Sequence, residues 1–495
     1  MSKICLCLNA KTLEENLQIL ESNRKYVDLA ELRVDMLLPD ERFQIRHFPS
    51  LAGLPVILTV RRPGDGGCYE SGEGARVTLI ANALANAKVD RRLNFAYVDI
   101  EEDLEIPSLE EAARAFGTRI IRSIHLMDKT DMDIARRVKS MAHTGDEIIK
   151  CVCAAKNLDD VLIMYNAAKE LKGMEKVLIS MGNAGTCTRI LAKKFGSLWS
   201  YTCVKESENA EPLAPGMLDP KTLCEMYRFY DIKDDTSVYG ILGYPLKVTE
   251  SPRFFNNVFT RERINAVYVP FPSESVEPFF RIASALNLRG VSVTVPHKQS
   301  VLKYLSNESA AVRSIGACNT IVKSWDGWDG FNTDTLGFLD SLLHFIGKKS
   351  FRGLKLTVVG AGGAARAVVY QIWKHGGKAL IVNRSKGKAE ELAEKYGFIA
   401  SGIYESSQRL IEKYSDILIN TTSVGMGPDL NADPLEIYKF HGHEVVMDII
   451  YSPEQTAMLR RAAAAGCATL NGYDMLIRQA KCQYKYFFDA DYPEG

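Results

Sequence analysis

The sequence predicts an α/β protein in which an N-terminal (β/α)8 barrel precedes a two-domain α/β unit with a Rossmann-like nucleotide-binding domain. Eight short apolar runs alternate with amphipathic stretches over about the first 225 residues, which is typical of that barrel. A polar linker follows, and a glycine-rich turn after an apolar strand opens the last third. Apolar strands alternating with helices indicate parallel sheets covered by helices.

Composition and charge are those of a globular protein of roughly three domains, at about 150 residues each. The 495 residues include 61 Lys+Arg and 61 Asp+Glu, so no basic excess indicates a nucleic-acid or membrane-surface partner. The start of the chain lacks the pattern of a signal peptide, and no apolar run approaches the about 20 residues of a membrane span. Eleven cysteines without C-x2-C pairs predict reduced thiols, no metal site and a cytoplasmic location.

The barrel elements follow one another in order. The predicted strands are 3–9, 27–35, 55–61, 95–101, 119–125, 147–153, 176–181 and 198–204. The first helix is predicted over 12–24, where Thr12 and Glu15 form a capping-box pattern. A helix over 221–230 closes this domain, which we place at 1–230, and 231–236 is the linker.

The second half contains two further α/β patterns. Strands are predicted at 238–242, 266–270 and 290–295, and then at 355–360, 378–383, 417–420 and 445–449. The helix 473–488 has no obvious place in the last pattern and is expected to fold back on the preceding one. We therefore predict a substrate-binding domain at 237–345 plus 472–490, and a nucleotide-binding domain at 346–471.

Charged residues at the carboxyl ends of barrel strands are candidates because active sites of this fold lie on that face. The candidates are Glu31, Arg33, Asp35, Arg61, His125 and Lys150, with Arg189 after the seventh strand. Lys150 lies among apolar neighbours, and desolvation favours a neutral, nucleophilic amine that can form a Schiff base with a ketone. The alternative is a lysine paired with a core carboxylate. A histidine one strand earlier and three converging arginines favour the nucleophile.

The glycine-rich turn Gly360-Ala361-Gly362-Gly363-Ala364-Ala365 follows a strand and opens a helix, the context of a dinucleotide fingerprint. An NAD enzyme places an acid about 20 residues further on. This chain has Asn383-Arg384-Ser385-Lys386-Gly387-Lys388 there, and its cations favour a 2′-phosphate and hence NADP(H). The alternative is a solvated basic turn.

Five motifs of the first half together resemble type I 3-dehydroquinate dehydratase: ELRVD at 31–35, TVR at 59–61, His125 after RSI, Lys150 in EIIKCV, and ISMGNAGTCTR at 179–189. The resemblance implies an imine on Lys150, His125 as general base and acid, and Arg189 on the substrate carboxylate. It places Glu31, Arg33 and Arg61 on ring hydroxyls, with Met181 in the same site. Asp65 stands where the family usually has a glutamate that assists His125. Leu213 and Met217 replace polar lid residues, which predicts a looser or differently closed lid and a raised KM.

Motifs of the second half, in their order, resemble shikimate dehydrogenase: GYPLKVTESP at 243–252, VSVTVPHK at 291–298, GACNT at 316–320, GFNTD at 330–334, NTTSVGM at 420–426 and GYDMLIRQA at 472–480. The resemblance implies Lys298 and Asp334 as the catalytic pair and Thr249 and Ser251 on the substrate carboxylate. The ring contacts implied are Thr294, Asn319, Tyr451 and Gln479. The cofactor contacts implied are Gly360, Ala361, Gly362, Gly363, Ala364, Asn383, Arg384, Ser385, Lys388, Thr421, Ile449 and Gly472.

Together the two resemblances imply a bifunctional shikimate-pathway enzyme, a lyase joined to an NADP-dependent oxidoreductase. Its partners would be small molecules: 3-dehydroquinate, 3-dehydroshikimate and shikimate. Two alternatives stand beside it, a quinate/shikimate dehydrogenase with an impaired barrel and a metabolite-sensing regulator without turnover. The four residues Lys150, His125, Lys298 and Asp334 argue for turnover. The sequence carries no signal for an oligomeric state.

Overall fold

A computed structural model describes residues 1–85, 90–204, 212–246 and 249–493. The chain divides into two compact units, Met1–Leu288 and Arg289–Gly495, each of which is described by itself. The domain boundaries predicted from the sequence stay a prediction. No helix in the described part of the chain is long and apolar enough to cross a membrane.

The first unit contains ten strands and nine helices among its described residues. The strands are β1 Lys3–Leu8, β2 Leu29–Arg33, β3 Val56–Thr59, β4 Tyr97–Glu101, β5 Arg119–Leu126, β6 Ile148–Ala154, β7 Lys176–Met181, β8 Trp199–Thr202, β9 Ser237–Gly243 and β10 Ala266–Pro272. The helices are α1 Leu13–Asn23, α2 Phe48–Ala52, α3 Glu73–Leu84, α4 Pro107–Ala115, α5 Ile134–Met141, α6 Leu158–Glu170, α7 Thr186–Ile190, α8 Ser251–Arg261 and α9 Val276–Ala285. Thr12 and Glu15 exchange side-chain and backbone bonds at the start of α1, which confirms the predicted capping box.

Strands β1 to β8 form a parallel sheet in the order β7-β6-β5-β4-β3-β2-β1-β8. The two end strands meet through a parallel bridge between Lys176 and Ser197, where the Leu198 N–H donates to the Lys176 carbonyl over 2.8 Å. Closing the sheet in this way leaves the strands without a free edge. The predicted (β/α)8 barrel is therefore confirmed.

Alternate residues of each strand face the barrel interior, because successive side chains of a strand point to opposite sides. The apolar interior includes Ile57 of β3, Ile121 of β5, Ile148 of β6 and Trp199 of β8. Lys150 follows Ile148 by two residues on β6, so its side chain points to the same side of the strand, one layer closer to the carboxyl ends. The barrel interior is therefore apolar at its base and polar in the layer above.

The helix predicted over 221–230 is broken in the structure. A π-helical turn covers Thr222–Met226, and a 3-10 turn follows at Phe229–Asp231. Arg228 between them has a φ of 51°, and its guanidinium bonds the Asp231 carboxylate and the Phe259 and Ile264 carbonyls. These bonds hold a left-handed residue that ends the helix. The first unit continues with the parallel pair β9 and β10.

The second unit contains a small antiparallel group and a parallel sheet. Its strands are β11 Gly290–Val293, β12 Asn307–Glu308, β13 Thr320–Lys323, β14 Trp328–Phe331, β15 Lys355–Val359, β16 Lys378–Val382, β17 Ile399–Ser401, β18 Ile417–Asn420, β19 Val445–Asp448 and β20 Ala468–Leu470. Its helices are α10 Ala310–Ile315, α11 Asp334–Phe345, α12 Gly363–Lys374, α13 Lys386–Tyr396, α14 Gln408–Glu412, α15 Ala457–Ala464 and α16 Tyr473–Phe488. The order β17-β16-β15-β18-β19-β20, all parallel, confirms the predicted Rossmann-like sheet.

Helix α16 packs against α11, as expected for a terminal helix that folds back on the preceding α/β pattern. The two helices approach closely at Gly337, where a Cβ atom would lie 2.8 Å from both the Gln479 Cβ and the Met475 carbonyl oxygen. This packing brings Gln479 beside the start of α11.

Candidate active sites

The barrel encloses a cavity of about 330 Å³ at the carboxyl ends of its strands. All eight residues predicted for this half line it: Glu31, Arg33, Arg61, Asp65, His125, Lys150, Met181 and Arg189. They come from β2, β6, β5, β7 and α7 and from the segments after β3. The structure therefore brings together residues that are up to 158 positions apart in the sequence.

Lys150 lies at the base of this cavity and is 4% exposed. Its Nζ is 2.9 Å from Asp99 Oδ2 and 3.4 Å from Glu31 Oε1, and it lies 4.5 Å from the centre of the Tyr201 ring. The amine is thus both ion-paired and open to the cavity. The sequence offered two interpretations of Lys150, a nucleophile and a lysine paired with a core carboxylate. The structure combines an ion-paired amine with access to the cavity.

Asp99 is a buried residue that the sequence prediction missed. Its Oδ2 accepts from Arg61 Nη2 over 2.8 Å as well as from Lys150, and its Oδ1 accepts from Ser123 Oγ over 2.5 Å. Burial by itself raises the pKa of the Asp99 carboxyl, but Arg61 and Lys150 outweigh it and hold that pKa well below its usual range. The available signal was an acid in the apolar run 95–101, at a position that alternates with Val98 and Ile100.

Glu31 faces the same amine from the other side. Its Oε1 also accepts from Thr59 Oγ1 over 3.0 Å, and its Oε2 accepts from the Cys7 thiol over 3.3 Å. Burial raises the pKa of Glu31, but the cations Lys150 and Arg33 lower it by more than burial raises it, so the net shift of the pKa is downward. Glu31 therefore stays an anion on the cavity wall.

His125 lies on β5 two residues after Ser123, which is the residue paired with Lys150 of β6. Burial, with help from Arg61 and Lys150, lowers the pKa of its ring well below the ordinary value. Its Nδ1 is buried and has no hydrogen-bond partner among the described residues. Asp65 lines the cavity too, but its carboxylate accepts from Arg62 Nε over 2.5 Å. The assistance of Asp65 to His125 stays a prediction.

Arg189 is a buried cation without a counter-ion in the described part of the chain. Its Nε has no partner there, and its Nη1 reaches only the Tyr201 carbonyl, at 3.5 Å. Burial lowers the pKa of this guanidinium to about 10, which still leaves it charged at neutral pH. Such a group in a cavity suits an anionic ligand.

The segment 212–218 covers part of the cavity mouth. Pro215 accepts a hydrogen bond from the Gly182 N–H over 3.1 Å, and a Cβ atom at Gly216 would lie 2.4 Å from the Gly182 carbonyl oxygen. Leu213 and Met217 line the cavity, and both pack against the apolar barrel interior. Apolar packing thus holds this segment at the cavity mouth.

In the second unit, Lys298 and Asp334 form a close pair. Lys298 Nζ lies 2.5 Å from Asp334 Oδ2, and Asn319 Nδ2 donates to Asp334 Oδ1 over 2.8 Å. Thr333 Oγ1 and Gln479 Oε1 lie 3.3 Å apart beside Asn319. Helices α11 and α16, the segment after β11 and the residue before β13 therefore bring together the predicted residues Lys298, Asp334, Asn319 and Gln479.

The same cluster includes Gln483, which the sequence prediction missed. Its amide donates to Thr320 Oγ1 over 3.0 Å and accepts from Ser292 Oγ over 2.8 Å. It lies one helical turn after Gln479, and that spacing was the available signal. The predicted residue Thr294 accepts a backbone bond from His297 in the segment leading to Lys298. In the first unit, Thr249 Oγ1 accepts from the Ser251 N–H over 3.4 Å at the start of α8.

The glycine-rich turn after β15 fits a dinucleotide. Gly360 has a φ of +112°, and a Cβ atom there would lie 2.6 Å from Thr421 Oγ1, so only glycine is accommodated. Gly362 precedes the first turn of α12 and has nothing within 4 Å of its Cβ position, which leaves the helix N-terminus open to a phosphate. A Cβ atom at Gly363 would lie 3.6 Å from Lys298 Cδ. The turn thus adjoins the Lys298–Asp334 pair.

The end of β16 carries no acid. Asn383 Nδ2 donates to the Ser385 carbonyl over 2.9 Å, while Arg384, Ser385 and Lys388 are exposed. Neither Arg384 nor Lys388 has an ion-pair partner among the described residues. This surface suits a 2′-phosphate.

Gly472 and Ile449, two of the implied cofactor contacts, adjoin each other. A Cβ atom at Gly472 would lie 2.0 Å from the Ile449 carbonyl oxygen, and the Gly472 N–H donates to the Ile450 carbonyl over 3.0 Å. Tyr451 follows directly. The fully buried Asp448 accepts from Asn420, Thr456 and the Ile450 N–H and holds the ends of β18 and β19 together.

No group of three or more His, Cys, Asp or Glu side chains within the described ranges is placed to hold a metal ion. All eleven cysteines have free thiols.

Three family models match the chain in sequence. Type I 3-dehydroquinase matches residues 4–234, the shikimate dehydrogenase substrate binding domain matches 241–321, and shikimate / quinate 5-dehydrogenase matches 345–447. The chloroplastic bifunctional 3-dehydroquinate dehydratase/shikimate dehydrogenase of Arabidopsis thaliana is 29% identical over all of this chain and 83% of its own length. The NADP(+) shikimate dehydrogenase of Caldanaerobacter subterraneus is 38% identical over 53% of this chain and 96% of its own. A solved shikimate dehydrogenase from Aquifex aeolicus is 33% identical over 53% of this chain and 96% of its own, with a TM-score of 0.49.

Proposed function

Because the chain belongs to the shikimate dehydrogenase family and carries a type I 3-dehydroquinase domain ahead of that part, we propose which of its residues perform the two reactions. The enzyme is bifunctional: it dehydrates 3-dehydroquinate to 3-dehydroshikimate and reduces 3-dehydroshikimate to shikimate with NADPH. The observation that carries the proposal is the buried Lys150 at the base of a cavity that also holds His125 and an unpaired Arg189.

In the barrel, the ammonium of Lys150 loses one proton, and its neutral amine attacks the carbon of the substrate ketone to give a carbinolamine. The proton then returns to the carbinolamine oxygen, which leaves as water and gives an iminium. Charge is conserved in this step, because one cation replaces another. The iminium acidifies the neighbouring C–H bond, and His125, neutral because of its lowered pKa, accepts that proton. The resulting imidazolium returns the proton to the departing hydroxyl, which leaves as water. Hydrolysis of the conjugated imine frees Lys150 and releases the enone.

Arg189 holds the substrate carboxylate. Its guanidinium is charged and buried, and burial already lowers its pKa to about 10, so a carboxylate relieves an existing cost. Arg33 and Glu31 of β2 and Arg61 of the segment after β3 then hold ring hydroxyls, and Met181 contacts the ring. Leu213 and Met217 exclude water from the mouth.

In the second half, Lys298 and Asp334 form one proton-donating unit for the carbonyl oxygen of 3-dehydroshikimate. Asn319 fixes Asp334 Oδ1, so the other oxygen faces Lys298. Thr294, Tyr451 and Gln479 contact the ring, and Thr249 and Ser251 hold the carboxylate. Bound NADPH supplies the hydride.

The residues present fit NADP(H). The turn Gly360-Ala361-Gly362-Gly363-Ala364 and Thr421 would hold the pyrophosphate, and Gly472 and Ile449 would adjoin the nicotinamide. Asn383, Arg384, Ser385 and Lys388 would hold the 2′-phosphate, which is supported by the exposed Arg384, unpaired among the described residues.

The experiment is to give the purified chain 3-dehydroquinate without nucleotide, follow enone formation, and then add NADPH. Enone that grows and then disappears, with shikimate as the product, is the expected result. Absence of enone, with 3-dehydroshikimate still reduced when supplied directly, would identify the barrel as impaired. Lys150→Ala and Lys298→Ala are the paired controls, because each removes one reaction and retains the other.

We also propose the domain division 1–230, 237–345 plus 472–490, and 346–471, which limited proteolysis tests at 231–236. The eleven free thiols support a reducing compartment, for which we propose the cytoplasm. Cell fractionation decides between the cytoplasm and an organelle.

A further inference from the structure

Lys150 has two carboxylate neighbours, and only one of them faces the cavity. Glu31 lines the cavity wall together with Lys150, whereas Asp99 is absent from that wall and is 1% exposed. When a substrate occupies the cavity, its hydroxyls compete with Lys150 for Glu31. Asp99 lies behind the amine, where the substrate does not reach.

We propose that Asp99 is the permanent counter-ion of Lys150, holding the amine in place and stabilising the positive charge as the ammonium becomes the iminium. The proposal rests on the proposed function, since it requires an imine on Lys150. It adds a residue from β4 to the site residues that β2, β5, β6, β7, α7 and the segment after β3 supply.

The contacts of Asp99 suit an anion that keeps its charge. One oxygen bonds Lys150 Nζ at 2.9 Å and Arg61 Nη2 at 2.8 Å, and the other bonds Ser123 Oγ at 2.5 Å. Ser123 in turn accepts from Arg61 Nη1 over 3.1 Å. A carboxylate held by two cations and a hydroxyl is a poor base, so the proton removed in the reaction goes to His125 and not to Asp99.

The positive charge on Lys150 Nζ explains why a fixed anion such as Asp99 is needed. The ammonium, the iminium and the conjugated iminium each carry one positive charge at Nζ in a cavity that also contains the cations Arg33, Arg61 and Arg189. Without a fixed anion beside Nζ, substrate binding would leave this charge among cations in a low-dielectric site. The groups that face Nζ are Asp99 and Glu31, the Tyr201 ring, His125, and Arg61 behind Asp99.

The test compares Asp99→Asn with Glu101→Gln in the full chain. Glu101 is a matched control because it is 2% exposed and bonds the same Arg61, over 2.9 Å, but does not contact Lys150. Borohydride is added during turnover of 3-dehydroquinate, and the adduct on the Lys150 peptide is measured by mass spectrometry. We expect kcat for dehydration and the adduct to fall by roughly 100-fold in Asp99→Asn, and much less in Glu101→Gln.

A second readout separates charge from structure. Cyanate carbamoylates only neutral amines, so its rate at Lys150 reports how strongly the ammonium is held. We expect carbamoylation at neutral pH to rise by about tenfold or more in Asp99→Asn, and to stay at the wild-type rate in Glu101→Gln. Equal rates in wild type and Asp99→Asn, or equal losses of adduct in both variants, would overturn the proposal.

Two further outcomes are distinguishable. If the wild type itself yields no adduct on Lys150, the imine mechanism fails, and the inference fails with it. If wild type and Asp99→Asn yield the same adduct, only the inference fails. Should Asp99→Asn not fold, Asp99→Ala is refolded with formate or with formamide. Adduct formation with formate alone supports the counter-ion, and adduct with both or with neither refutes it.

Discussion

Replacing Arg189 by methionine should stabilise the protein while it removes dehydration. Burial lowers the pKa of Arg189 from 12.5 to about 10, a drop of about 2.5. At 1.36 kcal/mol for each pKa unit, the charged side chain costs folding about 3 kcal/mol. Because the pKa of Arg189 is lower in the folded state than in the unfolded state, the loss of folding free energy is complete below about pH 10. It therefore applies in full at neutral pH. Water in the open cavity solvates the cation, which makes about 3 kcal/mol the ceiling.

The assay is the melting temperature of the wild type, Arg189→Met and Arg189→Lys at neutral pH. We expect Arg189→Met to melt several degrees higher, at about 2–4 °C for each kcal/mol in a unit of this size. We expect kcat/KM for 3-dehydroquinate to fall by about 100-fold or more, because the carboxylate loses a bidentate charged partner. Arg189→Lys keeps the charge and should gain no stability.

Addition of 3-dehydroshikimate supplies the complementary measurement. The product carries the same carboxylate, and it should raise the melting temperature of the wild type more than that of Arg189→Met, in which only the second half still binds it. If Arg189→Met melts below the wild type, or keeps the wild-type KM for 3-dehydroquinate, Arg189 is not the unpaired cation that binds the substrate carboxylate.

Four further predictions concern single residues. Lys298→Met should lower kcat for reduction by about 100-fold or more and leave dehydration unchanged, as measured by NADPH loss and enone formation in one sample; loss of both reactions would contradict it. Arg384→Ala should raise KM for NADPH by about 10- to 100-fold, since a charge-assisted hydrogen bond is lost, and an equal rise for NADH would show that the 2′-phosphate lies elsewhere. Met217→Gln should lower KM for 3-dehydroquinate by restoring a polar lid contact, and an unchanged KM would count against the lid argument. Burial raises the pKa of Asp448 from 3.8 to about 6. The stability that the neutral, protonated carboxyl contributes is therefore complete below about pH 4 and is lost as the pH rises through 6. Asp448→Asn should therefore gain stability relative to wild type, by about 3 kcal/mol, between pH 4 and 7; a constant difference in unfolding free energy would exclude this titration.

The elements that were predictable are those that local chain geometry dictates. Each barrel strand is a run of four to eight residues rich in apolar side chains, and this pattern depends only on neighbours along the chain. The same holds for the Thr12 cap and for the glycine turn at Gly360, whose positive φ excludes other residues. The prediction of a helix over 221–230 was wrong. The carbonyls of Phe259 and Ile264, which are distant in sequence, hold Arg228 in a left-handed conformation that interrupts the helix.

By itself the sequence predicted the barrel and the nucleotide-binding sheet, because the pattern of each strand is contained in a few consecutive residues. It also showed which side chains are charged. Only the tertiary structure decided which anion meets which cation. Lys150 meets Glu31 from 119 positions away and Asp99 from 51, whereas Arg189 meets none among the described residues. Such pairs depend on how eight strands align around a closed barrel, and that alignment is a property of the whole sheet.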